Sequence, residues 1–220
     1  MNMTDTEIRT AHFDDATYGQ TLEIVCAPDA VEQLGRQIRS LFSGGVDFPV
    51  IMQGIWSVVA GRVGKLVILF TYQTTSALMK HRDLLLASLN VQGIAEIIQS
   101  VSFEAQTVLL RKNAVAPSSE FGLSEFQVAR LYPGRLPGLM TSLTTRKPDP
   151  STFALMYARS GTVSLVTQIN TFSSLHGRAA QLSCWLTDED LQNVEELHAE
   201  LSANINERSE LSSSPAVLKV

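Results

Sequence analysis

The chain has 220 residues, 45% of them hydrophobic and 18% charged, with a formal net charge of −5. That length suits one large or two small domains. The acidic balance, with lysines and arginines scattered, excludes a nucleic-acid footprint, and no run approaches the ~18 apolar residues that a membrane span requires.

Residues 1–18 are polar and without periodicity and read as a loose tail. They carry more acid than base and no apolar stretch, unlike a secretory or transit peptide, so a cytoplasmic protein is expected. The segment TLEIVCA reads as a strand ended by Pro28. Val31, Leu34, Ile38 and Leu41 then recur at helical steps, with Asp29 as cap and Gly44-Gly45 as stop. Two strands follow, Val50 to Ala60 and Lys65 to Tyr72, joined by a hairpin whose Gly61 and Gly64 tolerate positive φ. The second of them, KLVILFTY, is apolar on both faces for several residues, as for a strand covered on both sides. Thr74-Thr75-Ser76 caps a helix to about Leu89, and AQTVLL, residues 105–110, closes the unit.

This order, β-α-β-β-α-β, is ferredoxin-like: an antiparallel four-stranded sheet with both helices on one face. Its other face is left apolar and bare, so it must pack on a second sheet. After a linker at 112–124, rich in Pro, Ser and Gly, the pattern returns. Gly64, Ser76, Leu78 and Leu85 recur as Gly161, Ser173, Leu175 and Leu182 without a gap. In the second copy the opening strand is Glu125 to Leu131. The Pro133-Gly134 turn leads into a helix about Leu136 to Leu143, and the hairpin turns at Ser160-Gly161. A capped helix runs through Leu182, another starts with acids at Thr187-Asp-Glu-Asp190, and PAVLKV, residues 215–220, is taken as the last strand. The expected protein is therefore α+β. It consists of two tandem ferredoxin-like units, 19–111 and 125–220, packed sheet to sheet as a pseudo-dimer.

Several of these features resemble the NIPSNAP family of the dimeric α/β-barrel superfamily. They are the strand ending in Tyr132-Pro-Gly-Arg-Leu-Pro137, the Gly54-x-Trp56 strand, the strand ending in Phe70-x-Tyr72, the capped helix carrying Arg82, and the closing Val108-Leu-Leu. The resemblance implies a barrel with a mostly apolar interior. It fixes no reaction, because relatives of this architecture include cofactor-free monooxygenases, haem-binding enzymes and proteins without known chemistry.

No nucleophile–base pair, phosphate loop or metal spacing is present. The two cysteines, Cys26 and Cys184, stand far apart and read as small apolar residues in a reduced compartment. The four histidines form no metal set. Trp56, Tyr72, Tyr132 and Tyr157 lie on strands or their ends, so alternation directs some of them into the barrel, as pocket walls or as plain core. His81 shares a helix face with Leu78, Leu85 and Leu89. It is either a base or haem ligand at the helix edge or a satisfied core histidine, and the outer position of these helices favours the core role. Arg82 follows it, and Arg178 holds the place matching His81 in the second copy. The functional expectation is a NIPSNAP-like protein that binds a small apolar ligand or a protein partner, without a cofactor or metal. The alternative is a cofactor-independent monooxygenase acting on a small aromatic substrate. The low charge content adds the expectation of a homodimer.

Overall fold

The computed structural model describes residues 18–43, 51–60, 62–91, 94–111, 123–145, 152–160, 163–172, 178 and 186–205. Eight strands form: β1 Tyr18–Cys26, β2 Ile51–Ala60, β3 Lys65–Tyr72, β4 Ile98–Arg111, β5 Leu123–Leu131, β6 Thr152–Ser160, β7 Val163–Phe172 and β8 Val194–Asn204. Four α-helical segments accompany them among the described residues: α1 Val31–Ser43, α2 Thr75–Val91, α3 Leu136–Thr145 and the single turn α4 Asp188–Leu191.

All strand pairs are antiparallel, and they close into a barrel in the order β1-β3-β2-β8-β5-β7-β6-β4. The first four strands thus sit in the order β4-β1-β3-β2 and the last four as β8-β5-β7-β6. The two groups of four are hydrogen-bonded to each other at both ends, β2 to β8 and β4 to β6, so that all eight strands make one closed sheet. Full closure leaves no open edge, which removes the tendency of an exposed strand to recruit another chain.

Alternation sorts the side chains into three layers. On β1 and β3, Leu22, Ile24, Leu66, Ile68, Phe70 and Tyr72 face outward and pack under the helices, meeting Leu34 and Ile38 of α1 and Leu78, Leu85 and Leu89 of α2. Trp56, Val58, Val67, Leu69, Phe126, Ala154, Met156 and Ile169 fill the barrel centre. A third cluster joins Ala129, Leu131, Leu155 and Val166 to Leu136, Leu139 and Leu143 of α3. β3 is buried along its whole length because it has helices on one side and the barrel interior on the other.

Local signals start and stop these elements. Thr74 Oγ1 accepts from the Ala77 amide at 3.2 Å and opens α2. Tyr132-Pro-Gly-Arg135 is a turn closed by the Arg135 amide donating to the Tyr132 carbonyl at 3.2 Å, with Gly134 at φ +78°. No helix among the described residues is long and apolar enough to cross a membrane.

The end of the chain differs from the sequence expectation. Thr187 and Asp190 do form a reciprocal capping box, but the helix they start lasts only one turn, and β8 follows at once. The cap is a local signal, whereas Val194–Asn204 is held by ladders to β5 and β2 on either side. The strand therefore takes the barrel place expected for PAVLKV, a stretch outside the described residues. The helix expected from Ser173 to Leu182 is outside them too, except for Arg178.

Gly64 adopts φ +88°, and a Cβ there would lie 2.5 Å from the carbonyl oxygen of Cys26. Its own carbonyl accepts from the Cys26 amide at 2.9 Å, so the hairpin cannot move away without losing that bond. Gly64→Ala is expected to lower stability by at least about 2 kcal/mol, from the left-handed backbone alone and the close approach added to it. Urea unfolding of the variant checks this, and an unchanged midpoint would contradict it.

Candidate functional site

The barrel centre is packed, but one mouth of it is open. A cavity of about 480 Å³ lies there, lined from both halves of the barrel. Thr21 and Glu23 of β1, Lys65 and Val67 of β3, and Glu104 and Gln106 of β4 come from the first half. Phe126 and Val128 of β5, Thr167 of β7, and His198 and Glu200 of β8 come from the second.

Lys65 is the centre of its electrostatics. Its ammonium lies 2.7 Å from Glu23 Oε1 and 2.6 Å from Glu200 Oε2, so a single charge ties neighbouring β1 to β8 of the other half. Burial opposes that charge, but the two carboxylates outweigh it and hold the lysine above its ordinary range. Glu104 is pushed upward, chiefly by burial. A hydrogen bond from Gln106 acts against this and the nearby charge of Glu23 adds to it. Gln106 Nε2 donates to Thr167 Oγ1 at 3.0 Å, while its Oε1 is buried without a hydrogen-bond partner. Deeper in the barrel Trp56 stacks edge-to-face on Phe126, with centroids 5.3 Å apart, and lies across Gly54, where a Cβ would strike its ring. Trp56 Nε1 and the hydroxyls of Ser124 and Ser202 are also buried without partners.

The residues singled out from sequence are spread over three environments. Trp56 faces the barrel interior and is fully buried in its packed centre. Tyr72 does not line the cavity, because its place in the strand alternation turns it toward the helices. There its hydroxyl donates to Gln20 Oε1 at 2.9 Å and meets His81 Nδ1 at 2.5 Å. Tyr157 is half-buried against the outer cluster under α3, again on the helix side, and Tyr132 is 47% exposed at the end of β5. His81 is fully buried between Tyr72 and Phe70, away from the mouth. Arg82 is partly exposed and lies 3.5 Å from its neighbour Asp83. Arg178 donates to buried Glu125 through Nε at 3.0 Å and through Nη2, on the outer face of the second half.

The mouth residues Glu23, Lys65, Glu104, Gln106 and Glu200 went unnoticed in the sequence. Each is an ordinary polar residue in a strand, and the only available signal was their inward parity with Val67 and Phe126. A second hollow of about 530 Å³ lies outside the barrel beside Asp29, Glu32 and Arg36. It is lined from the first half only, and its Glu32–Arg36 pair, at 3.7 Å, is an exposed contact within one helix.

No protein-family model matches this chain, and no curated protein does either. Solved structures match it in fold. A provisionally assigned monooxygenase from Fusobacterium nucleatum is 9% identical with a TM-score of 0.60, over 86% of this chain and 93% of that one. An anthrone oxidase-like protein is 13% identical with a TM-score of 0.55, over 87% and 92%. A heme-binding protein from Thermus thermophilus is 14% identical with a TM-score of 0.52, over 90% and 95%. Identities this low carry the fold alone, and the fold is that of the dimeric α/β barrels.

Burial lowers the pKa of His81 from 6.5 to about 4. A histidine whose folded-state pKa is depressed contributes stability that is complete above 6.5 and lost as pH falls toward 4. The expected loss over that window is about 3 kcal/mol. An NMR titration of the His81 ring checks it, and a midpoint near 6.5 would refute the assignment.

Proposed function

We propose that this chain binds a small molecule in the mouth of its barrel, as a NIPSNAP-like protein of two ferredoxin-like units, 19–111 and 125–220, joined by the linker 112–124. The observation behind this is the cavity of about 480 Å³, which opens on a packed barrel centre and draws its lining from strands around the barrel. Phe126, Val67 and Val128 offer an apolar wall, and the carboxyls and amide around Lys65 offer polar partners, the usual mixture of a ligand pocket. The ligand is therefore amphipathic rather than purely apolar.

A haem does not suit these residues. Three glutamates at the mouth oppose its propionates, and His81 lies on the helix side, engaged with Tyr72. His198 stands at the rim with its Nε2 2.8 Å from Glu196.

Indole, a neutral aromatic of suitable size, tests the reading. Added to the labelled protein, it should shift the amide signals of Val67, Phe126, Val128 and Thr167 together. Shifts confined to the hollow beside α1, or scattered over the surface, would overturn the proposal.

One observation favours a second reading. Glu104 has a carboxyl held toward its protonated form and opens on the same cavity as the Phe126 ring, as a base for a phenolic substrate would. The fold shared with an anthrone oxidase-like protein fits a cofactor-independent monooxygenase of that kind. Oxygen uptake with anthrone that disappears in Glu104→Gln would establish it, and no uptake by the parent protein would remove it.

A further inference from the structure

The nitrogen donors of Lys65 and Gln106 at the barrel mouth are already engaged. Lys65 Nζ is shared between Glu23 and Glu200, and the Gln106 amide nitrogen faces Thr167 Oγ1. Acceptors are in excess there: the carboxyls of Glu23, Glu104 and Glu200, and above all Gln106 Oε1. Gln106 is 3% exposed, lines the cavity, and leaves that oxygen without a partner. Its orientation is fixed because Glu104, on the same strand, accepts a hydrogen bond from it and so faces the amide nitrogen. A buried acceptor left empty is costly, and a ligand that supplies an N–H recovers the loss.

Charge points the same way. Three carboxyls surround one ammonium, so the mouth attracts cations and repels anions. A bare metal ion does not suit it, since no group of three His, Cys, Asp or Glu side chains among the described residues converges closely enough to hold one. Phe126, Val67 and Val128 supply an apolar wall, and the ring of Phe126 also accommodates a cation on its face.

Taking the mouth as a ligand site, we infer that it selects an organic ammonium carried on a flat apolar body, its N–H groups meeting Gln106 Oε1 and the Glu104 carboxyl. Anionic aromatics are excluded, and neutral ones of the same shape lack the charge-assisted hydrogen bond.

Three indoles with the same ring separate the possibilities: tryptamine, its neutral alcohol tryptophol, and indole-3-acetate. Each is titrated calorimetrically into the full chain at pH 7, with amide shifts reporting the place of binding. Tryptamine is expected to bind at least about tenfold tighter than tryptophol, as a charge-assisted hydrogen bond provides, and indole-3-acetate more weakly than both. Gln106→Met, which keeps the side-chain volume and removes the acceptor, should bring tryptamine toward tryptophol, because the charge-assisted hydrogen bond is the stronger one lost. Thermal unfolding shows whether the variant is folded; if it is not, the ranking of the three probes on the parent protein still decides. Equal binding of tryptamine and tryptophol in the mouth would overturn the choice of ligand class and leave the site standing. If none of the three indoles bound in the mouth, the site and the ligand class would both fall.

Discussion

The structure depends on two short seams, where β2 pairs with β8 and β4 pairs with β6. Each seam is brief and interrupted. Trp56 to Val58 pair with Asn204 to Ser202 before the register shifts at Ala60, and Thr107 and Val108 pair with Tyr157 and Met156 before it shifts at Leu110. A bulge bends and twists the strand that carries it, as a sheet must when it curls round to meet its other edge. Once closed, the barrel has an interior in which Trp56, Phe126 and Met156 come from three different strands and pack as one cluster. The same closure brings Glu200 to Lys65, so the ion pair at the mouth exists only because the seams do.

Outside the barrel, each half carries a polar contact on the outer face of its sheet, by different chemistry. Gln20 stands opposite Phe70 in the first half, and Glu125 stands opposite Asn170 in the second. In the first, a neutral chain runs from Gln20 through the Tyr72 hydroxyl to His81 of α2. In the second, Arg178 meets Glu125 directly, and Gln127 donates to the other carboxylate oxygen at 2.8 Å. Burial drives the tyrosine and histidine of the first chain toward their uncharged forms, so that contact is a neutral one near pH 7. The arginine and glutamate form an ion pair, and removing Arg178 would leave the buried Glu125 carboxylate without its cation. Neither contact opens on the cavity, so both belong to the scaffold. Cys26 is part of that scaffold too: buried under α1, its thiol is pushed up by burial and by Asp29 and is correspondingly unreactive.

The mouth joins these two levels. Packing fills the barrel where apolar side chains from opposite walls meet, and stops where inward positions become polar, from Val67 to Lys65 on β3 and from Val108 to Gln106 and Glu104 on β4. Polar side chains at inward positions cannot be filled over by neighbouring hydrophobes without losing their partners, so the space between them stays open. A cavity at that level follows from the order of residues along the strands.

The amino-acid sequence by itself determined the alternation of strands and helices, the β2–β3 hairpin with its positive-φ glycine, the cap of α2 and the Pro-Gly turn before α3. All of these are set by neighbours a few residues apart, where periodicity and turn chemistry act directly. Only the tertiary structure decided which strand completes the second half. The Thr187–Asp190 cap is a true helix start, but the residues after it gain more from two ladders than from continuing a helix. Tertiary structure also decided which face of each strand is the interior. A tyrosine one residue out of phase with the inward positions, as Tyr72 and Tyr157 are, sits under a helix, while lysine and glutamate in phase with them line the cavity. Parity along one strand is written in its sequence. Which parity points inward is fixed only when eight strands, brought together across more than a hundred residues of chain, close on one another.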